Sequence, residues 1–225
     1  MTKKTDLVLV GGFLGAGKTS LLFEMAKRLN KQGKKVGLIT NDQASELVDT
    51  SFLETNDDTV EEVSGSCFCC NFNGFADAIK HLQEQNNSDI IFAEPVGSCT
   101  DLSATIMQPV KEKYSDSLNL KQLTVLADPT RLKAVLKDHS NPGDYIIYKQ
   151  FEEADVILIN KVELLSEQEL AELVEATKKE FNNENVLTTS VKTGEGLDEW
   201  FNQIITSEKE VGRKIVEVDY DTYAD

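Results

Sequence analysis

Apolar and polar positions alternate in blocks along this chain, and the blocks have two lengths. Short apolar runs of about four to seven residues read as buried strands: Leu7–Val10, Lys35–Asn41, Asp89–Ala93, Leu123–Ala127, Val156–Ile159 and Val186–Thr189. Thr59–Val63 and Lys214–Val218 are further short strand candidates. Between them lie longer stretches with apolar residues at helical spacing. These are predicted at Leu21–Leu29, about Asn73–Gln85, Asp101–Tyr114 with Pro109 as a kink or break, Asp144–Ala154, the stretch after Ser166, and a segment through Trp200 and Ile205.

Local signals mark several helix starts. Asp128-Pro129 has the form of an N-cap with proline in the first turn, and Ser166-Glu167-Gln168-Glu169 that of a capping box. Asn141-Pro142-Gly143 reads as a turn. The stripe Leu170, Leu173, Val174, Thr177 and Phe181 is core packing. Gln43–Asp58 is polar, without a clear period, and reads as a mobile loop. Strands alternating with helices predict an α/β fold: a three-layer sandwich around a mostly parallel sheet, of the P-loop NTPase type.

That type follows from the first strand–helix junction. Gly12 to Ser20, Gly-Phe-Leu-Gly-Ala-Gly-Lys-Thr-Ser, fits G-x-x-x-x-G-K-[ST] between an apolar strand and a helix. Glycines let successive N–H groups turn inward toward phosphate oxygens, and the helix N-terminus adds partial positive charge. Gly12, Gly15, Ala16, Gly17, Lys18, Thr19 and Ser20 are the candidate phosphate-binding residues, with Lys18 reaching the β- and γ-phosphates and Thr19 holding Mg²⁺.

Three later stretches fit a guanine nucleotide. Glu94-x-x-Gly97 ends a strand, where a carboxylate holds Mg²⁺ through water and the Gly97 N–H meets the γ-phosphate. Asn160-Lys161-x-Glu163 follows a later strand. There Glu163 would accept two N–H bonds from guanine and Lys161 would lie along the base. Ser190–Gly196 is a strand-to-helix loop whose backbone, at Ser190 and Val191, would meet the guanine carbonyl oxygen.

Composition adds a second chemistry. Three of the four cysteines fall in Cys67-x-Cys69-Cys70. Thiolates are soft ligands suited to Zn²⁺, Co²⁺, Ni²⁺ or Cu⁺, and this spacing does not favour a disulfide. Three ligands from one short loop leave a coordination position open, as suits a metal that must leave again. Cys99 reads as a small buried residue, and as a fourth ligand only if the Glu94–Cys99 loop folds near. His81 and His139 stand singly and read as solvated.

The 225 residues suffice for one sizeable core. The formal charge of −16 makes nucleic acid and anionic membrane poor partners, and by itself reads as a solubility feature. No apolar run approaches the ~18 residues of a membrane span, and no secretory signal is visible. The expected place is the cytoplasm, with free thiols.

Taken in order, the P-loop, Gly65-Ser-Cys-Phe-Cys-Cys70, Glu94-x-x-Gly97 and Asn160-Lys161-x-Glu163 resemble the CobW-type GTPases, grouped with HypB and UreG. Thr193–Trp200 is similar to the HypB end of that group. The resemblance implies slow GTP hydrolysis coupled to delivery of Zn²⁺, Co²⁺ or Ni²⁺ to a client metalloprotein. It implies GTP/GDP and Mg²⁺ as cofactors, and a nucleotide-linked homodimer by analogy with HypB. It also implies that Asp42 and Glu62 assist metal or Mg²⁺ binding. On this reading Lys18, Asp42 and Glu94 are catalytic, Asp42 orienting the attacking water.

The chain departs from the family pattern in places. Glu163 stands where members usually carry Asp, and Gly65-Ser66 where they carry Asn-Gly. Residues 1–210 are read as the GTPase domain and 211–225 as a final strand and tail, where many CobW-like proteins continue into a C-terminal domain. Two other functions fit the motifs: a P-loop kinase for a small metabolite, and a nucleotide- and zinc-sensing module that delivers nothing.

Overall fold

The strands predicted from apolar runs assemble into one parallel sheet. The structure is a computed structural model, and it describes residues 4–41, 60–63, 67–209 and 211–212. Its strands are β1 (Thr5–Gly11), β2 (Val36–Asn41), β3 (Val60–Val63), β4 (Ile90–Ala93), β5 (Leu118–Leu120), β6 (Thr124–Ala127), β7 (Val156–Ile159) and β8 (Val186–Thr188). Their order is β3-β2-β4-β1-β6-β7-β8, with β5 paired beside β1, and every pairing is parallel. Parallel strands covered on both faces need continuous apolar runs, and β4, β6 and β7 are buried at every position.

The helices are α1 (Lys18–Lys31), α2 (Phe72–Gln85), α3 (Gln108–Tyr114), α4 (Pro129–Lys137), α5 (Pro142–Glu153), α6 (Glu167–Phe181) and α7 (Leu197–Thr206). They divide into two layers. α1 and α7 cover one face, burying Leu21, Leu22, Met25, Leu197, Trp200 and Ile204. The Trp200 indole donates to Thr124 Oγ1 at 3.0 Å, so its one polar atom is satisfied inside the core. The other helices cover the opposite face through residues such as Phe75, Leu82, Val110, Phe151 and Phe181.

Several local expectations gain detail. Asp128 caps α4 by accepting from the N–H groups of Thr130 and Arg131, and Ser166 with Glu169 forms the capping box of α6. Asn141-Pro142 is not a free turn. Asn141 is the N-cap of α5 and Pro142 its first residue, because proline's fixed φ suits that position. Ahead of Pro109 the chain forms a π-helical turn at Ser103–Met107, and α3 starts one residue before the proline. His139 is half-buried and stacks on Tyr148, with ring centroids 3.9 Å apart, while exposed His81 sits 2.5 Å from a Glu61 carboxylate oxygen. The strand expected at Lys214–Val218, and the loop at Gln43–Asp58, lie outside the described residues. Among those described, no helix is long and apolar enough to cross a membrane.

The register brings the motifs to one edge. β1 lies between β4 and β6, with Leu9 opposite Ala93 and Gly11 opposite Val125. β7 follows, with Ala127 opposite Ile159, and then β8, with Ile159 opposite Thr188. The carboxyl ends of these strands therefore deliver the P-loop, Glu94, Asp128, Asn160 and Ser190 side by side. The chain order reverses around β1, and such a point is where parallel sheets bind ligands.

Candidate nucleotide and metal site

The glycine loop after β1 takes a shape that side chains would prevent. Gly12, Gly15 and Gly17 have φ of 129°, 80° and 100°. A Cβ on Gly12 would stand 2.5 Å from the Leu126 carbonyl oxygen, and one on Gly17 2.6 Å from Asn160 Nδ2. The loop ends at α1, where Lys18 is the first helical residue and is 6 % exposed. Lys18 Nζ lies 3.6 Å from Glu94 Oε1 and donates to the Phe13 carbonyl at 3.4 Å. Thr19 Oγ1 donates to the same Glu94 carboxylate at 2.9 and 3.1 Å.

Lys18, Thr19 and Glu94 thus form one cluster beneath the loop. Burial lowers the pKa of Lys18, opposed by the Glu94 charge, and raises that of Glu94, opposed by Lys18. An ammonium, a hydroxyl and a carboxylate that share desolvation are suited to receive charged oxygens and a hard cation. Gly97 closes against this cluster: a Cβ there would be 3.0 Å from Leu14 N and 3.4 Å from Lys18 Nζ. Ser20 is exposed at the start of α1, and Ala16 is buried.

On the other side, buried Asn160 bridges two loops. Its Nδ2 donates to the Ala16 carbonyl at 2.9 Å, and its Oδ1 accepts from Val191 N at 3.0 Å. Lys161, at a left-handed φ of 59°, donates to Gly15 O at 2.8 Å and pairs with Asp128 at 2.7 Å. Glu163 is exposed, and a hydrogen bond from the Ser190 side chain, followed by Lys192 and Lys161, holds its carboxyl below the usual range. Ser190 is fully buried and accepts from Thr193 N at 3.1 Å. Asn160, Lys161, Glu163, Ser190 and Val191 are therefore gathered beside the P-loop.

Sequence reasoning missed what holds the Glu94–Gly97 loop from behind. Gln150, 1 % exposed on α5, donates through Nε2 to both Gly97 O (2.9 Å) and Cys99 O (2.8 Å). One turn on, Glu153 accepts from Ser103 N at 3.2 Å. Burial, aided by Asp101, pushes the Glu153 carboxyl up to about 8 against the pull of backbone N–H groups at Ser103, Leu102 and Asp101. A carboxyl whose folded pKa is raised stabilises the fold fully below its ordinary value of 4.5 and loses that contribution as pH rises through about 8. Denaturant titrations are expected to show about 3 kcal/mol more stability lost between pH 5 and pH 8 in the wild type than in Glu153→Gln, whose side chain stays neutral. Equal losses would show that Glu153 does not change its proton binding on folding.

The cysteines converge as well. Cys67, Cys69 and Cys70 form the turn leading into α2, where Cys70 N and Asn71 N both donate to Cys67 O. Cys67 Sγ is 2.8 Å from Cys69 Sγ and 2.9 Å from Cys70 Sγ. Cys99, expected to be small and buried, is buried at 9 % exposure, yet its sulfur also joins the group: Cys67, Cys69 and Cys99 have ligand atoms all within 4.8 Å of one another. Burial pushes the Cys67 thiol up, but hydrogen bonds from Cys69 and Cys70 together bring it below the usual thiol value. Burial raises Cys69 and Cys99, Cys99 to about 12. All four are free thiols. Phe68, between the ligands, is fully buried and stacks on Phe75 at 4.7 Å, which anchors the turn to α2. Asp42, the Glu62 side chain, Gly65 and Ser66 lie outside the described residues.

Comparison with known proteins gives a consistent picture. The zinc-regulated GTPase metalloprotein activator 1 of Schizosaccharomyces pombe is 27 % identical over 173 residues, 73 % of this chain and 41 % of its own. The zinc chaperone YjiA of Escherichia coli is 29 % identical over 167 residues, 72 % of this chain and 51 % of its own. The urease accessory protein UreG of Metallosphaera sedula is 25 % identical, covering 84 % of this chain and 87 % of its own. The chain thus spans about half the length of the zinc-protein relatives. Among solved structures, HypB from Helicobacter pylori in complex with nickel superposes with a TM-score of 0.59 at 18 % identity, covering 90 % of this chain and 86 % of that one. Zn(II)-bound YjiA from E. coli gives 0.55 at 21 %, covering 82 % and 57 %. At these identities the two superpositions speak for the α/β P-loop NTPase fold alone. Residues 6–188 match the family model of the CobW/HypB/UreG nucleotide-binding domain, and the chain belongs to that family.

Proposed function

We propose that this chain is a GTP-hydrolysing metallochaperone domain of the cytoplasm, in which nucleotide state governs the binding and release of a transition metal destined for a client protein. The observation that carries the reading is a single backbone path. The loop Glu94–Cys99 touches the P-loop cluster at one end and the cysteine cluster at the other.

In this reading the P-loop N–H groups and Lys18 would hold the phosphates, while Thr19 and Glu94 would hold Mg²⁺, which would supply positive charge against that developing on the phosphates. Glu94 accepts a hydrogen bond from Thr19 Oγ1 at 2.9 Å, so the two oxygen ligands sit together. The packing of Gly97 against Leu14 N and Lys18 Nζ supports a role in which its N–H would donate to the terminal phosphate and move when that phosphate leaves. Asp42 is assigned the attacking water. Asn160 positions Ala16 and Val191, so that Lys161 lies along the base and the Val191 segment faces the guanine carbonyl. Glu163 reads the guanine N–H edge, kept ionised by Ser190 and the nearby lysines. The cysteines carry the metal as cargo, and the relatives named as zinc chaperones and a zinc-regulated activator support zinc in that role.

Calorimetric titration with Mg·GTP and Mg·ATP tests the nucleotide half. GTP is expected to bind at least tenfold more tightly, because an ionised Glu163 pairs with guanine N–H donors and faces only acceptors or an empty edge on adenine. Equal affinities, or turnover of ATP that requires a small acceptor molecule, would replace this reading with a kinase.

A further inference from the structure

We propose that Cys99 is a ligand of the same metal as Cys67 and Cys69, so that the bound ion ties the cysteine turn to the loop that closes on the P-loop. This rests on the reading of Cys67-x-Cys69-Cys70 as a metal site. Cys99 lies in a different loop, 29 residues after Cys70. Nevertheless Cys67, Cys69 and Cys99 sulfurs all fall within 4.8 Å of one another. A tetrahedral Zn–S₄ site with bonds of about 2.3 Å holds its sulfurs about 3.8 Å apart. The observed separations bracket that value, from the 2.8–2.9 Å contacts to the 4.8 Å bound. Cys70 Sγ lies outside that group of three, but at 2.9 Å from Cys67 Sγ and 4.0 Å from Cys69 Sγ it is the fourth thiolate of the proposed set. It is exposed, whereas Cys67 and Cys69 are half-buried and Cys99 is buried, so Cys70 is the ligand that a competing thiolate displaces first. On binding, each thiol gives its proton to solvent.

The position of Cys99 gives the site its second property. Cys99 N donates to Val96 O at 2.9 Å, and Gln150 Nε2 holds the carbonyls of both Gly97 and Cys99. The segment from Val96 to Cys99 is therefore cross-braced, and a shift of Gly97 carries Cys99 with it. Moving one of four ligands changes metal affinity directly, and by linkage metal binding changes nucleotide preference by the same factor.

Co²⁺ is the probe, titrated into the reduced full chain under nitrogen. Thiolate-to-Co²⁺ charge-transfer absorbance rises with the number of thiolates bound. Cys99→Ala is expected to lower that absorbance per bound ion by about a quarter, from four thiolates to three, and to weaken Zn²⁺ binding at least about tenfold. It is also expected to bring the Zn²⁺ affinities with Mg·GDP and with a non-hydrolysable GTP analogue together. Cys99→Ser, closer in size and a poor ligand for Zn²⁺, gives the same result where the alanine variant fails to fold. Unchanged absorbance and affinity in the folded variant would overturn the proposal. Cys67→Ser separates the two levels. If it abolishes binding while Cys99→Ala changes nothing, this inference alone fails; if Cys67→Ser also changes nothing, the metal reading beneath it fails.

Discussion

Lys18→Ala is expected to lower kcat for GTP hydrolysis on the order of 10²–10³-fold, the range seen when one preorganised donor to a developing charge is removed. Lys18 is suited to a large effect because its ammonium is already buried and desolvated, at 6 % exposure, with Glu94 Oε1 3.6 Å away. A charge held out of water and fixed at the start of α1 costs no reorganisation when phosphate charge develops. The loss falls mainly on kcat where the contact strengthens in the transition state, and on KM where it serves ground-state binding equally. Lys18→Arg is expected to restore little activity, because the planar guanidinium cannot take the place of a compact ammonium between Phe13 O and Glu94. Steady-state hydrolysis beside a thermal melt checks this. A variant that melts like the wild type and keeps more than a tenth of kcat would remove Lys18 from the catalytic role.

Cys67→Ser combined with Cys69→Ser is expected to weaken Zn²⁺ binding more than about a hundredfold. Loss of a mere outer-shell partner costs about 10- to 100-fold, and here two direct soft donors become hydroxyls. The fold should survive. Both side chains are only half-buried, and the turn is held independently by Phe68, stacked on Phe75, and by the hydrogen bonds from Cys70 N and Asn71 N to Cys67 O. Nucleotide affinity without metal should be unchanged, since among the described residues the Lys18–Thr19–Glu94 cluster makes no hydrogen bond to these sulfurs. Competition against a chromophoric chelator measures the change; an affinity within threefold of the wild type would leave the cysteine turn without a metal role.

What the sequence revealed and what it hid divide by distance along the chain. The P-loop was legible because strand, glycines and helix are consecutive, and Cys67-x-Cys69-Cys70 because one turn contains it. The α/β alternation was legible because buried parallel strands must be continuously apolar. Gln150 and Glu153 were not legible. Each looks like an ordinary polar residue of a helix, and its buried partners at Gly97, Cys99 and Ser103 lie about 50 positions earlier. The pairing of Asp128 with Lys161 was hidden for the same reason: Asp128 was recognisable as a cap, but its second bond depends on β6 lying beside β7. Cys99 was legible as buried, and its neighbours were not, because they are set by β2 lying between β3 and β4, which brings the turn before α2 and the loop after β4 to the same edge. Strand β5, three residues long, carries too little pattern to be seen.

The most direct test of a nucleotide-governed metal carrier is the Zn²⁺ affinity of the reduced wild-type chain, measured once with Mg·GDP and once with Mg and a non-hydrolysable GTP analogue. A single loop joining the phosphate cluster to the cysteines predicts affinities that differ at least about fivefold, a coupling of about 1 kcal/mol. Equal affinities in the two states would contradict it, leaving a nucleotide site and a thiol cluster that share a loop but not a function.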